Sequence, residues 1–408
     1  MNKPKKILFI SDNFFPENNA PANRTYEHAK QWVKDGHNVS VITSVPNFPL
    51  GKIHEGYKNK WYQKEVIEGI SIYRVKTFIA KNEGFLKRII DYLSFMITSF
   101  FCGAALKKSD VVIGTSPQFF TVISAWLVAK LKGSFFIFEL RDLWPHSIIS
   151  LGVMKRNLLI VILEKIELFL YRQADLIISV TKSFKMNLIE RGIEIEKIKI
   201  IRNGVLNSNF KNNETTTDIK INGLNDDDFV IGYIGTHGIA HNLENILLAA
   251  KTLETESNIK FLFVGEGAEK NKILDLAKTL DLKNCIFLPN QSRSVVPDIL
   301  KRCSIGLVSL KYIELFKTVI PSKIFEYMAM GLPILFCGPA GEASDIIIEN
   351  DCGFLVKNDS PQELRNEIIK IKNIDLIEKQ SNSKKASKKF ERSELAKEML
   401  SEIKGLFN

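Results

Sequence analysis

Short apolar runs alternate with longer stretches in which apolar residues recur at helical spacing. Runs typical of buried strands lie at residues 7–10, 38–43, 111–114, 135–140, 176–180 and 198–201. Helical patterns lie between them, such as residues 24–36, which end at a glycine, a common helix stop signal. This alternation predicts β-α-β units and an open, mostly parallel sheet.

A polar stretch rich in Asn, Thr and Asp, residues 211–228, interrupts the pattern and is predicted to be a linker. Strand-like runs then resume at 229–235, 259–265, 285–289, 305–310, 333–337 and 353–356, with helices predicted near 243–255, 268–280 and 295–302. We therefore predict two α/β domains, residues 1–212 and 213–389. A final helix, about 390–408, is expected to fold back onto the first domain. The Lys-rich stretch 379–394 is either a low-complexity tail or a helix that folds back.

Composition fits this picture and adds a charge asymmetry. The chain has 408 residues and a net charge of +10, and a chain of this length favours two domains. Residues 1–210 contain 30 Lys and Arg against 18 Asp and Glu, whereas the rest contains 26 against 28. The basic excess therefore belongs to the first half, where anionic lipid, a phosphate-bearing substrate, nucleic acid or plain solvent could face it.

The cysteines and the apolar segments limit the cellular setting. Five cysteines without a C-x-x-C pair favour reduced thiols in a cytosolic protein. The N-terminal apolar run is too short for a signal peptide and is predicted to be the first strand. Residues 92–106 are uncharged but shorter than the roughly 20 residues of a membrane span. This helix, like 154–171, is either buried in the domain or lies in a membrane interface.

Polar loops follow several predicted strands, and ligands of such sheets bind at the carboxyl ends of the strands. In residues 11–28 a helix is expected to open near Asn23 and Arg24, where it either binds an anion or is simply capped. The loop 141–147 places Arg141, Asp142 and His146 around Trp144. It suits a sugar or acyl acceptor, or a Trp that anchors the loop beside an ion pair.

The second half carries glycine-rich loops at 235–242 and 263–270 and a polar loop at 289–293. The segment 318–334, TVIPSKIFEYMAMGLPI, adds a helix that Pro321 and Ser322 are expected to open and cap. Lys323 and Glu326 share one face of its first turn. They are either a surface ion pair or a site in which Lys323 and the helix N-terminus share an anion.

These motifs together resemble the retaining glycosyltransferases of family 4, over nearly the whole chain. The most specific pieces are IIRNGV, VGEGAEK, PSKIFEYMAMGLPI, GPAGEASDII and CGFLV, with DNFFPENNAPANR, GHNVSVIT and RDLWP in the first half. The resemblance implies the GT-B fold, with two Rossmann-like doubly wound domains facing across a cleft. It also implies a nucleotide-sugar donor bound mainly by the C-terminal domain.

The resemblance assigns roles to individual residues. Glu326 would hold the ribose hydroxyls, and Lys323 would lie near the diphosphate. Asp142, with Arg141, falls near the family's catalytic histidine. The implied donor-binding set is Glu326, Lys323, Thr236, His237, Gly238, Asn290, Gln291, Arg293, Thr318 and Ser322; the implied phosphate and acceptor loop is Asn19, Ala20 and Arg24.

Three departures from the family pattern stand out. Thr318 occupies the position of the first acid in the common E-x7-E motif, and that acid normally touches the donor sugar. His237 and a neutral run replace the usual Arg and Lys, and an Arg-Asp pair stands where a histidine is common. The pattern is similar to bacterial O-antigen and capsule enzymes that transfer N-acetylated deoxysugars such as N-acetyl-fucosamine.

The resemblance thus implies a retaining, metal-independent transferase that uses a UDP-sugar and needs no other cofactor. Its expected acceptor is an undecaprenyl-diphosphate-linked saccharide at the inner face of the plasma membrane, where the protein would be peripheral, with no nucleic-acid partner. Two alternatives stay open: a GT-B nucleotide-sugar epimerase, or a non-catalytic partner protein with the same fold.

Overall fold

The structure, a computed structural model, describes residues 3–48, 51–79, 85–116, 118–150, 152, 155–210 and 219–407. Of the predicted linker, residues 211–218 lie outside this set. The chain divides into a first unit, residues 1–202 with 392–408, and a second unit, residues 203–391. Each contains a Rossmann-like parallel sheet, which confirms the predicted α/β class. The limits at 212 and 389 stay predictions of where acceptor and donor binding divide.

The strands are β1 (Lys6–Ile10), β2 (Asn38–Thr43), β3 (Tyr62–Ile67), β4 (Ile70–Val75), β5 (Val111–Thr115), β6 (Phe135–Leu140), β7 (Leu176–Ser179), β8 (Ile198–Ile200), β9 (Phe229–Ile234), β10 (Ile259–Val264), β11 (Cys285–Leu288), β12 (Ile305–Ser309), β13 (Ile334–Cys337) and β14 (Gly353–Val356). The helices are α1 (Ala20–Lys34), α2 (Phe85–Ala105), α3 (Phe119–Lys132), α4 (His146–Ser150), α5 (Leu158–Gln173), α6 (Lys182–Glu190), α7 (Leu243–Thr252), α8 (Lys270–Thr279), α9 (Val296–Lys301), α10 (Lys323–Met330), α11 (Glu342–Glu349), α12 (Pro361–Lys372), α13 (Ile377–Ser387) and α14 (Arg392–Gly405).

The first unit is built on a sheet with the order β3-β4-β2-β1-β5-β6-β7-β8. Its central strands are buried along almost their whole length, because helices cover both faces of a parallel sheet. The order reverses between β1 and β5: the chain moves outward from β1 to β2 on one side and from β5 to β8 on the other. Such a reversal is the usual ligand-binding point of a doubly wound sheet.

The strands predicted from the sequence do not include the edge hairpin of β3 and β4. The strands pair antiparallel, and β3 alternates exposed and half-buried positions. Glu68 and Gly69, both with positive φ, form the two-residue turn between them. Because β3 is polar and half-exposed, it lacks the apolar run that marks the buried strands.

Helix α1 begins earlier than expected, which corrects the start predicted near Asn23 and Arg24. The Asn19 side chain accepts the N–H of Ala22 (2.8 Å) and caps the helix, and Pro21 fits its first turn. The C-terminal α14 packs on α1, where the Trp32 indole N–H donates to the Ala396 carbonyl (2.7 Å). The stretch 379–394 falls largely in α13 and α14, so the tail interpretation is wrong.

The second unit contains an all-parallel sheet with the order β11-β10-β9-β12-β13-β14. Its order reverses between β9 and β12. The loops that leave these two strands at their carboxyl ends are 235–242 and the segment that leads to α10. The strand order therefore places the loop 235–242 and the start of α10, the two motifs predicted from the sequence to bind phosphate, at the usual ligand-binding point of this sheet.

Candidate active site

Two glycine-containing loops of the second unit, which follow β9 and β10, contact each other through their main chains. A Cβ on Gly265 would lie 2.0 Å from the Gly235 carbonyl oxygen, and one on Gly267 would lie 2.4 Å from that of His237. The His237 N–H donates to the Glu266 carbonyl (2.9 Å) across the same contact. No side chain larger than hydrogen fits at these two positions, so the glycines fix the path of residues 235–238.

Lys323, the first residue of α10, reaches back to this loop. Its side chain is buried (7% exposed), and its Nζ lies 3.4 Å from the centroid of the Tyr233 ring. A Cβ on Gly235 would lie 3.2 Å from the same nitrogen. The Tyr233 hydroxyl donates to the Thr236 carbonyl (2.7 Å), which fixes the ring under the ammonium group. The structure thus joins Lys323 to the loop of Thr236, His237 and Gly238.

The Lys323 ammonium has no hydrogen-bond partner among the described residues. Burial lowers the pKa of Lys323 to about 7, and the neighbouring Glu326 carboxylate opposes part of that change. A buried ammonium that lacks an acceptor is costly, and a bound anion would offset the cost. The environment of Lys323 is therefore compatible with anion binding, and its role in binding a diphosphate stays a prediction.

The apolar face of helix α10 packs into the second unit, and Glu326 lies on the opposite, more exposed face. Ile324, Phe325 and Met328 are buried, and the Tyr327 hydroxyl accepts the N–H of Ile234 (3.1 Å) at the end of β9. Glu326 is half-buried in the first turn. Ser322 occupies the N-cap position, but its hydroxyl makes no cap hydrogen bond, which corrects the expected capping role.

Two histidines of the β9 loop are neutral rings; His237 is buried and His241 is half-buried. Burial, with Lys270 and Lys323 nearby, lowers the pKa of His237 to about 3. Burial and Lys323 similarly lower the pKa of His241 to about 3, and its Nδ1 lies 3.2 Å from the Ser309 carbonyl at the end of β12. Neither ring adds positive charge near neutral pH, so the positive charge at these loops comes from Lys323 and from Lys270, whose Nζ donates to the Gly265 carbonyl (3.0 Å).

The remaining predicted donor residues lie on neighbouring loops. Asn290, Gln291 and Arg293 follow β11 at the edge of the sheet, where the Gln291 amide donates to the Pro289 carbonyl (3.2 Å). Thr318 ends a short 3₁₀ turn before α10, and its hydroxyl donates to the Leu315 carbonyl (2.7 Å). The roles of these residues in donor binding stay predictions.

In the first unit, Arg24 is committed to internal contacts. Its Nε lies 2.7 Å from a Glu139 carboxylate oxygen, and its two terminal nitrogens donate to the carbonyls of Arg202 (2.8 Å) and Ile201 (3.1 Å). Asn19 caps α1 and Ala20 begins it. These contacts give all three residues a structural role, whereas phosphate binding by them stays a prediction.

Arg141 and Asp142 follow β6 and are positioned through their main chain. Their N–H groups both point to the Ser116 hydroxyl oxygen, at 2.7 and 3.3 Å. Burial raises the pKa of Asp142, although the Ser147 hydroxyl donates to its carboxylate (3.0 Å). Burial lowers the pKa of Arg141 to about 9. Among the described residues, no group of three His, Cys, Asp or Glu side chains is arranged to hold a metal ion.

Comparison with known families agrees with both halves of the fold. Residues 22–206 match the family described as Glycosyltransferase Family 4, and residues 214–390 match Glycosyl transferases group 1. The chain belongs to the family 4 glycosyltransferases. Over 334 residues, this glycosyltransferase is 28% identical to the protein described as a colanic acid biosynthesis glycosyl transferase, WcaI of Escherichia coli K12. The alignment covers 80% of this chain and 81% of WcaI.

Solved structures place this glycosyltransferase in the GT-B fold. Sucrose-phosphate synthase from Thermosynechococcus elongatus has a TM-score of 0.78 and 15% identity, with 99% of each chain covered. Anabaena HepE in complex with UDP and glucose has a TM-score of 0.69 and 15% identity, with 98% of this chain and 99% of HepE covered. At such identities the likeness concerns the fold alone.

Sequence inspection missed three residues at the strand ends of this glycosyltransferase. Tyr233, which lies under the Lys323 ammonium, is an ordinary aromatic of a buried strand and carries no sequence signal. Asp12 and Gln118 lie at the reversal point of the first sheet and share a hydrogen bond (2.6 Å). An acid two residues after β1 was the available signal for Asp12, but its partner is 106 residues away.

Proposed function

We propose that this glycosyltransferase moves a sugar from a UDP-sugar to a lipid-diphosphate-linked saccharide, with retention at the anomeric carbon. The single observation that carries the donor side is the buried Lys323 ammonium beside the Gly235 loop, for which the described part of the chain supplies no hydrogen-bond acceptor. The description of WcaI supports a role in surface polysaccharide synthesis, such as O-antigen or capsule. The UDP and glucose of the HepE complex support the donor class. The proposed sugar is an N-acetylated deoxyhexose.

The second unit would bind the donor. Lys323 and the N-terminus of α10 would hold the diphosphate together with Thr236, His237 and Gly238. Glu326 would accept hydrogen bonds from the ribose hydroxyls. Asn290, Gln291 and Arg293 would meet the base, and Thr318 and Ser322 would lie toward the sugar.

In the proposed reaction the acceptor oxygen forms the new bond to the anomeric carbon. The bond from that carbon to the β-phosphate oxygen breaks, and its electron pair stays on UDP. The acceptor proton ends on the departing phosphate on the same face of the sugar. Lys323 would stabilise the charge that grows on this phosphate, and the proposed step uses no metal. Arg141 and Asp142 would act on the acceptor side, where Asp142 would orient the acceptor.

The proposed membrane association rests on two helices that flank α3 in the first unit. On α2, Ile97 is 51% and Phe101 is 65% exposed, and Leu158 at the start of α5 is 77% exposed. Exposed lysines at 87, 107 and 108 lie at the two ends of α2. Apolar side chains bordered by cations suit the interface of an anionic bilayer. Within the described ranges no helix has both the length and the apolarity to cross a membrane.

A thermal-shift screen with UDP, GDP and their sugar conjugates tests the donor side. We expect stabilisation by UDP and by one UDP-sugar, and stronger stabilisation by GDP would contradict the nucleotide assignment. The best UDP-sugar is then incubated without acceptor. Appearance of an isomeric UDP-sugar would instead establish the epimerase alternative, and binding without any turnover would favour the non-catalytic one.

Flotation with liposomes tests the membrane proposal. We expect the protein to float with phosphatidylglycerol-rich vesicles and to stay behind with phosphatidylcholine alone. Phe101→Glu should reduce flotation. Ile348→Glu, which changes an equally exposed apolar residue on α11 (62%), is the matched control and should float normally. Absence of flotation in the unchanged protein would overturn this part of the proposal.

A further inference from the structure

The reversal point of the first sheet contains a carboxylate and an amide that touch each other. Asp12 follows β1, and Gln118 precedes α3 after β5. The Gln118 Nε2 donates to Asp12 Oδ2 (2.6 Å), so the bond spans the two strands between which the order reverses. Doubly wound sheets bind their ligands at this point. The function proposed above leaves both side chains without a role.

A third residue, Thr121, determines which group of Gln118 faces Asp12. The Thr121 hydroxyl donates to Gln118 Oε1 (2.8 Å), which turns the amide NH₂ group toward Asp12. Gln118 is 7% exposed and Thr121 is fully buried. Asp12 therefore faces a donor that cannot turn over without the loss of a buried hydrogen bond.

The second carboxylate oxygen of Asp12 is buried and unpartnered within the part of the chain that the structure describes. The nearby Ser44 hydroxyl donates to the Asp12 main-chain oxygen (2.9 Å), and its closeness to the carboxyl group favours the ionised form of Asp12. Burial raises the pKa of Asp12 well above its ordinary range, and the negative charges of Asp91 and Glu17 add to the effect, so the free site favours the protonated acid. A ligand hydroxyl that donates to Oδ1 would favour the carboxylate instead. A carboxylate oxygen left without a donor in such a place costs free energy and calls for a ligand.

Neighbouring acids on the same edge differ, since their carboxylates are used within the fold. Glu17 accepts the main-chain N–H groups of Asn47 (2.8 Å) and Phe48 (2.9 Å). Asp142 accepts the Ser147 hydroxyl. A purely structural role for Asp12 would explain the hydrogen bond of Oδ2 with Gln118 but not the buried Oδ1. In the described part of the chain Oδ1 has no hydrogen-bond donor, and the hydroxyl of a saccharide could supply one.

We propose that Asp12 binds the hydroxyl of the saccharide acceptor through Oδ1, with Gln118 and Thr121 as positioning residues. This inference rests on the proposed transferase function and adds an acceptor-binding residue to it. The hydroxyl donates its hydrogen to Oδ1, which orients the oxygen lone pair for attack. No proton needs to pass to Asp12, because it leaves with the UDP phosphate.

The orientation of Gln118 makes Asp12→Asn a sharp probe. The Asn oxygen must face the Gln118 NH₂ group, so the Asn NH₂ group takes the place of Oδ1 and presents a donor to the hydroxyl. In Asp12→Asn with Gln118→Glu, a carboxylate at 118 accepts from the Asn NH₂ group and from Thr121. The Asn oxygen is then free to accept again. The double variant should recover what the single variant loses.

Transfer is assayed with the UDP-sugar that stabilises the protein most, onto octyl glycosides of common hexoses and N-acetylhexosamines. For Asp12→Asn we expect the acceptor KM to rise about 10- to 100-fold, the value of one hydrogen bond to a charged group. The UDP dissociation constant and donor hydrolysis in water should change less than twofold. Asp110→Asn, which alters a carboxylate bonded to Lys6 N–H at the other end of β5, is the control.

Each outcome decides the matter. An unchanged acceptor KM in Asp12→Asn, or an equal loss of UDP binding, would overturn the inference. Failure of the double variant to restore the acceptor KM would do the same, as would unfolding of both variants in a melting experiment. If the unchanged protein binds no UDP-sugar or transfers to no acceptor, the proposed function itself fails, which the UDP-binding and hydrolysis assays report separately.

Discussion

The two units carry opposite chemistry at equivalent points of similar sheets. In the second unit, the reversal between β9 and β12 is lined by glycine main chain and the buried ammonium of Lys323. In the first unit, the reversal between β1 and β5 holds the Asp12 carboxylate and the Gln118 amide. The first pattern suits the proposed diphosphate and the second suits the proposed acceptor hydroxyl, so under this proposal one architecture would bind two ligand classes through a few strand-end residues.

Two buried arginines of the first unit do not alter this contrast, because acids of the same unit neutralise them. Arg24 is paired with Glu139, and Arg392 of α14 is paired with Glu27. Both are buried pairs in which the charges are neutralised locally, so they hold α1 to the sheet and to α14. Total charge therefore says little about the charge at the reversal point.

The largest expected effect comes from Lys323→Met, which would remove the cation that distinguishes the second unit. UDP affinity should fall about 100-fold, since a charge-assisted hydrogen bond is lost. The unliganded protein should become more stable. Because the folded-state pKa is depressed to about 7, the penalty is complete below pH 7 and fades as pH rises toward 10.5. Calorimetry with UDP and melting at pH 6 and pH 9 measure both effects, and an unstabilised variant would contradict the buried-cation interpretation.

Gly265→Ala tests whether the glycine loops must touch. Its Cβ would lie 2.0 Å from the Gly235 carbonyl oxygen, and main chain cannot give way cheaply. We expect a loss of about 2–4 kcal/mol in the free energy of unfolding and a weaker UDP site. Gly36→Ala also has positive φ (+85°) but no atom within 4 Å of the new Cβ, so it should cost only about 1–2 kcal/mol. Equal urea midpoints for the two variants would refute the close contact.

Glu326→Gln sharpens the donor assignment at the ribose. UDP affinity should fall about tenfold, because a neutral amide is a weaker acceptor for the two ribose hydroxyls. The ratio of the dissociation constants of 2′-deoxy-UDP and UDP should shrink toward one. Glu314→Gln, which alters an exposed acid on the turn before α10, is the control. An unchanged ratio would remove Glu326 from the ribose site.

The smallest effect is a pH dependence that belongs to the second unit. Between pH 7 and pH 8 the protonated fraction of Lys323 in the free protein falls from about one half to about one tenth, so UDP affinity should fall about fivefold. Binding at pH 8 should take up close to one proton, which calorimetry in two buffers detects. Glu326 opposes the depressed pKa, while Tyr233, His237 and His241 carry no charge in this range. No proton uptake, or uptake that persists in Lys323→Met, would contradict the assignment.

The sequence by itself determined the fold class and much of the donor motif. Uniformly apolar runs between helical patterns identify buried parallel strands, and the glycine loops and PSKIFEY are contiguous in the chain. Contiguous signals survive without tertiary information because local propensity and spacing create them. The sequence pattern did not predict the β3–β4 hairpin or the start of α1 at Ala20, because a polar edge strand and an Asn cap give weak patterns.

Only the tertiary structure decided which side chains meet. Lys323 lies on the ring of Tyr233, and Asp12 bonds Gln118, through pairs separated by roughly a hundred residues. Parallel strand order brings such residues to one edge, and the order of strands is not written in any local pattern. Burial at that edge then shifts the pKa of Lys323 and of Asp12 in opposite directions. The chain specifies the residues, while the low dielectric around them sets their chemistry.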